Sequence, residues 1–179
     1  MNSLVPTLYL LLLCVSLSIL IFFLFTQITR KKEIETELFE LQNKIRSGEA
    51  TPNDYYSLGV IYLSKRLFDQ AILQFSKSLK SWDKKDFDGL ANLYNTIGFT
   101  YFESGQYDVS IYYYKEAITL DPQYIVALNN LAYAYEKKKM LEQAIDIYSK
   151  VLMYDQTNVV ASEKLVYLRK RFKHRDDRI

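Results

Sequence analysis

The sequence predicts an all-α chain: one apolar helix long enough to span a membrane, then a solenoid of three helix–turn–helix repeats closed by a capping helix. Three observations carry that prediction. Tyr55, Leu58, Gly59, Tyr62, Ala71 and Phe75 recur 39 residues later as Tyr94, Ile97, Gly98, Tyr101, Ser110 and Tyr114. After a further 34 residues they recur as Leu128, Leu131, Ala132, Tyr135, Ala144 and Tyr148. Second, 179 residues contain only 5 Gly and 3 Pro and no Ser/Gly-rich linker, so few residues interrupt helices. Third, Leu4–Phe25 is an unbroken uncharged run of 22 residues.

That run forms the first segment, residues 1–26. At ~1.5 Å rise per residue, about 20 residues cross a ~30 Å hydrocarbon core. Its 16 Leu, Ile, Phe and Val side chains favour insertion, by about 5–8 kcal/mol in total. A cleaved signal peptide fits less well, since the run is long and no small-residue cleavage site follows. Arg30, Lys31 and Lys32 flank its C-terminal side. By the positive-inside rule the rest of the chain stays where it was synthesised, with about three residues on the far side.

Residues 27–51 form a connector. Ile34, Leu38, Leu41 and Ile45 make one apolar stripe on a charged helix, and Ser47-Gly48 supplies its stop. The stripe suits either packing on the first repeat or a short coiled coil with a second copy.

Residues 52–173 carry the repeats, followed by a basic tail at 174–179. Gly59, Gly98 and Ala132 mark the close approach of the first helix of each repeat (helix A) to the second (helix B). Ala71, Ser110 and Ala144 are the small residues opposite them. Large aromatic side chains fill the space around each crossing: Tyr62, Tyr101 and Tyr135 from helix A, Phe75, Tyr114 and Tyr148 from helix B. Asp121-Pro122 ends the second repeat, whereas Asp83 and Gln156 stand at the corresponding place in the first and third. The additional five residues of the first interval are expected in a loop around Asp86-Phe87-Asp88-Gly89. Val159–Phe172 reads as the capping helix.

A 34-residue interval with these residue classes resembles the tetratricopeptide repeat (TPR) family from Pro52 to Phe172. In that family a second stripe of helix A, a quarter-turn from the core, lines a concave groove. Here the stripe reads Asn53, Tyr56, Val60 and Leu63, then Asn92, Asn95, Phe99 and Phe102, then Val126, Asn129, Tyr133 and Glu136. Asn offers a donor and an acceptor to peptide backbone, and the rings offer flat apolar contact. Tyr56, Asn92, Asn95, Phe99, Asn129 and Tyr133 are therefore the expected groove contacts. TPR domains that dock chaperone C-termini place Lys and Asn where this chain has Tyr56 and Val60, so that ligand is not expected.

Chemistry is not expected. No phosphate loop and no Ser–His or Cys–His pair is present, and Asp86-Phe87-Asp88-Gly89 only faintly echoes a calcium loop. With one Cys (Cys14) and one His (His174), neither a disulfide nor a Cys/His zinc site can form within the chain. No catalytic residue, cofactor or metal is assigned. A formal net charge of +2 gives no reason to invoke nucleic acid. The basic run Arg169, Lys170, Arg171, Lys173 and Arg175 suits a helix C-terminus, anionic lipid or an acidic partner surface.

Abundant Tyr, Ile, Lys, Phe and Asn reflect A/T-rich codons, as in an organellar genome. With one membrane helix, a short connector and three repeats, the chain resembles the hypothetical chloroplast reading frame thirty-seven family. That resemblance implies a thylakoid location, a stromal groove (cytoplasmic in a bacterium), and photosystem I subunits or assembly intermediates as clients. The expected function is a membrane-tethered scaffold for assembly or stability of photosystem I. The second reading is a membrane-anchored receptor for protein targeting or secretion.

Overall fold

Side-chain caps from Thr51, Asp86 and Asn158 start three of the helices. A computed structural model describes residues 4–176, and side chains from 7 to 171. The far-side tail at residues 1–3 and the end of the basic tail at 177–179 lie outside the described residues, as do the side chains of Lys173 and Arg175. The chain divides into two units, residues 1–49 and 50–179.

The first unit is one helix, α1 (Leu4–Ser47), of 44 residues. Side chains from residue 7 to 28 are all exposed, and the segment is long and apolar enough to cross a membrane. Three of its hydroxyls bond within the helix: those of Ser16, Ser18 and Thr26 donate to the Leu13, Cys14 and Phe23 carbonyls at 2.7–2.8 Å. Such bonds would lower the cost of placing these hydroxyls in hydrocarbon. Gly48 ends the helix at φ 79°, and the Gly48 and Glu49 amides donate to the Ile45 and Lys44 carbonyls.

The second unit stacks α2 (Pro52–Ser64) with α3 (Phe68–Ser81), α4 (Phe87–Glu103) with α5 (Tyr107–Leu120), and α6 (Ile125–Lys137) with α7 (Leu141–Tyr154). Helix α8 (Val159–Asp176) follows. Thr51 and Asp54 form a reciprocal capping box at the start of α2. Each A–B turn contains one left-handed residue at the same repeat position: Arg66 (φ 59°), Gly105 (φ 82°) and Lys139 (φ 60°). Each helix B is followed by an aspartate whose Oδ1 accepts a backbone amide two residues on: Lys85 from Asp83, Gln123 from Asp121 and Thr157 from Asp155. Aspartate thus marks all three repeat ends, although proline follows it only once.

The core forms where helix B rings lie against helix A backbone. A Cβ on Gly59 would stand 2.5 Å from Phe75, and one on Gly98 would stand 2.7 Å from Tyr114. Phe75, Tyr114 and Tyr148 are all fully buried. One apolar cluster joins Ala71, Phe75, Leu93 and Ile97, and a larger one runs from Ile111 through repeat three to Leu168.

The structure corrects one expectation. The additional residues of the first interval do not simply lengthen a loop. Asp86 is the N-cap of α4, its Oδ1 accepting the Gly89 amide at 2.9 Å while its Oδ2 accepts the Trp82 indole N–H at 3.0 Å. Phe87, Asp88 and Gly89 form the first turn of a 17-residue helix, against 13 in α2 and α6. The same bonds account for the faint calcium-like pattern, because the Asp86 carboxylate is engaged in capping.

Candidate functional site

The A-helix wall of the array divides by repeat position. At the ninth position Val60, Phe99 and Tyr133 are 39%, 40% and 38% exposed, one apolar side chain per repeat. Exposure this even along a wall otherwise built on a close-packed core makes a ladder of apolar contact points.

The fifth position behaves differently. Asn95 is buried, and its Oδ1 accepts from the Asn130 Nδ2 at 3.0 Å. The hydroxyls of Tyr56 and Thr96 lie 3.3 Å apart. In both pairs the fifth residue of one repeat meets the sixth of the next, so these polar groups set the register between neighbouring A helices. Tyr124 sits beside both: burial pushes its pKa up, Tyr56 adds to this, and a hydrogen bond with Asn95 opposes it. The Tyr56 ring also packs 5.8 Å from Phe75 and 6.2 Å from Trp82.

Of the expected contacts, Phe99 and Tyr133 present open rings, and Asn92 is exposed on the same helix as Phe99. Asn129 is half-buried, and its Oδ1 is buried with no partner among the described residues. Tyr56 and Asn95 are engaged between repeats. The residues not anticipated are Thr96, Tyr124 and Asn130, together with two lysines. The sixth-position column Thr96/Asn130 was the available signal, but a polar column beside a groove reads equally well as solvated surface.

The two lysines, Lys137 on α6 and Lys164 on α8, meet at the third-repeat ring Tyr133. Lys137 Nζ lies 4.9 Å and Lys164 Nζ 5.0 Å from the Tyr133 ring centre, and Phe102 packs 5.1 Å from the same ring. Glu136 accepts the Tyr148 hydroxyl at 2.6 Å and the Lys164 ammonium at 3.0 Å. Burial, then the hydrogen bond to Glu136, pushes the Tyr148 pKa far above the usual phenol range, so this phenol stays protonated and donating. Hydrogen bonding to Tyr133 raises the Lys137 pKa. No grouping of metal-ligating side chains occurs among the described residues.

Stacked A–B pairs with an exposed apolar ladder on the A helices define a tetratricopeptide-repeat protein, a protein-interaction fold. TPR models match residues 98–139 and 125–158. Among solved structures, MamA aligns with a TM-score of 0.72 at 19% identity over 82% of each chain. YrrB, described as a TPR protein with an unusual peptide-binding site, aligns with 0.68 at 18% identity over 82% of this chain and 73% of that one. At such identities the likeness shows the fold. The particular family follows from closer relatives: the chain belongs to the ycf37 family. It is 45% identical to the ycf37 protein of Guillardia theta over the full length of both, and 38% identical to that of Cyanophora paradoxa over 82% and 84% of the two chains. It is also 34% identical to the chloroplastic TPR domain-containing protein PYG7 of Arabidopsis thaliana, over 92% of this chain and 54% of that longer one.

Proposed function

We propose that the protein is a membrane-tethered scaffold whose A-helix groove holds photosystem I subunits or assembly intermediates at the stromal face of the thylakoid. The observation that carries the reading is the exposed ladder Val60, Phe99 and Tyr133 in a protein with an apolar span at its N-terminal end. Anchoring by α1 confines the groove near membrane subunits and raises their effective concentration, so modest affinity suffices and release remains possible. Phe99 and Tyr133 supply apolar contact, and Asn92 and Asn129 lie beside them. Tyr56 and Asn95 hold the wall in register beneath the client.

The chloroplastic Arabidopsis relative supports the plastid location, the peptide-binding site of YrrB supports a peptide-like client, and the family resemblance supports photosystem I. Tyr56 and Val60 replace the Lys and Asn that grip chaperone tails, which argues against that ligand.

The test is genetic. Deleting the gene should lower photosystem I relative to photosystem II while photosystem I transcripts stay level. Phe99→Ser with Tyr133→Ser should reproduce the defect without loss of the protein, each lost ring weakening the client by about 1–2 kcal/mol. A normal photosystem ratio in the deletion strain under stress would refute the assembly role and favour a targeting receptor.

A further inference from the structure

Helix α8 is more than a cap. Shifting α6 by 34 residues lays Ala127, Leu131 and Ala134 on Ala161, Leu165 and Leu168, and all six are buried. Lys164 occupies the sixth position and, like Thr96 and Asn130, bonds back to the preceding helix A, although it meets the ninth and twelfth positions (Tyr133 and Glu136) where they meet the fifth. By packing and register α8 is therefore a fourth helix A, lacking its helix B. The same shift carries Tyr133 to Tyr167 and Val126 to Val160, each 56% exposed. The apolar ladder gains a fourth rung.

Charge changes along the ladder. Val60 and Phe99 have no cation over them among the described residues, while Tyr133 has one on Lys137 and another on Lys164. Glu136 neutralises only Lys164, at 3.0 Å. Lys137 has no carboxylate in ion-pair range among the described residues, and Arg171 is exposed one helical turn after Tyr167. Glu163, exposed one turn before Tyr167, offsets one of these charges, and the cation that remains beside the rings suits a segment bearing apolar side chains and carboxylates together. A bilayer is a poorer fit, since an inner solenoid wall is concave and cannot lie on a flat lipid surface.

We propose that α8 is the fourth wall of the groove and that this end, from Tyr133 to Tyr167, takes an acidic aromatic peptide segment of the client. The proposal rests on the groove reading above and adds the ligand class and the end at which it seats.

The full chain in neutral detergent micelles can be titrated by fluorescence anisotropy with two labelled peptides. One alternates glutamate pairs with phenylalanine, and the other replaces each glutamate by lysine. The glutamate peptide should bind about tenfold more tightly, a gap that narrows with added salt. Lys137→Glu should cut its binding about tenfold, Lys137→Gln less, and Tyr167→Ser several-fold, with melting temperatures unchanged because both side chains sit on the surface. Equal binding of the two peptides, or binding unaffected by Lys137→Glu and Tyr167→Ser, would overturn the proposal. So would loss of binding in phosphatidylglycerol-doped micelles, which would give the surface to lipid, or self-association abolished by Tyr167→Ser, which would give it to a second copy. If Phe99→Ser with Tyr133→Ser lowers photosystem I in the cell while the acidic peptide shows no preference here, the groove reading stands and the ligand class alone is wrong.

Discussion

Gly98 shows how single residues hold this fold. Its missing Cβ would meet the Tyr114 ring at 2.7 Å and the Ser110 carbonyl oxygen at 3.2 Å. A buried ring against backbone has nowhere to move, so Gly98→Ala should destabilise by about 1–3 kcal/mol in a denaturant titration. The turn column predicts the opposite sign. Lys139 is left-handed at φ 60° where the second repeat has Gly105. Lys139→Gly should raise stability by about 0.5–1 kcal/mol, the left-handed penalty removed less the entropy glycine gains when unfolded. The two groove asparagines should separate as well. Asn95→Ala breaks the bond to Asn130 and should cost about 1–2 kcal/mol, whereas Asn129→Ala removes an oxygen that has no partner and should cost little. Thermal denaturation of the two variants side by side checks this. By sequence Asn95 is an expected groove contact. Its amide instead joins repeats, a use that one sequence cannot distinguish from a free groove amide because both place Asn on the same stripe.

Helices and their ends were legible to different degrees. The small–large columns Gly59/Phe75, Gly98/Tyr114 and Ala132/Tyr148 could be read directly, because close helix crossing tolerates few residue types. The start of α4 could not, since Asp86-Phe87-Asp88-Gly89 has loop composition and only the Trp82–Asp86–Gly89 bonds make it a helix N-terminus. The identity of α8 as a fourth helix A was obscured because Val166 and Arg169 occupy the columns that elsewhere hold Gly or Ala and Tyr. Truncation after Asn158 should uncover Leu131 and Val151 and lower the melting temperature of the array sharply. The turn before α8 adds a pH dependence. Hydrogen bonds, first from Asn158 and then from Thr157, hold the Asp155 carboxyl below its ordinary value of 3.8. A lowered folded-state pKa stabilises above the unfolded value and is lost as pH falls through the folded one. Asp155→Asn should therefore flatten the acid limb of the stability profile below about pH 4, followed by circular dichroism.

For the whole molecule, the A-helix wall, rather than the B-helix face, should meet the client while α1 holds the array at the membrane. Protease added to right-side-out thylakoids should digest the repeats, and carbonate should fail to extract the chain. The most direct measurement is photocrosslinking in intact cells from a benzoyl-phenylalanine placed at Phe99, compared with one at Tyr112, which is exposed on a B helix. The position-99 probe should capture photosystem I subunits or intermediates, and the position-112 probe should not. Capture from position 112 alone, or of no photosystem I polypeptide from position 99, would contradict the account.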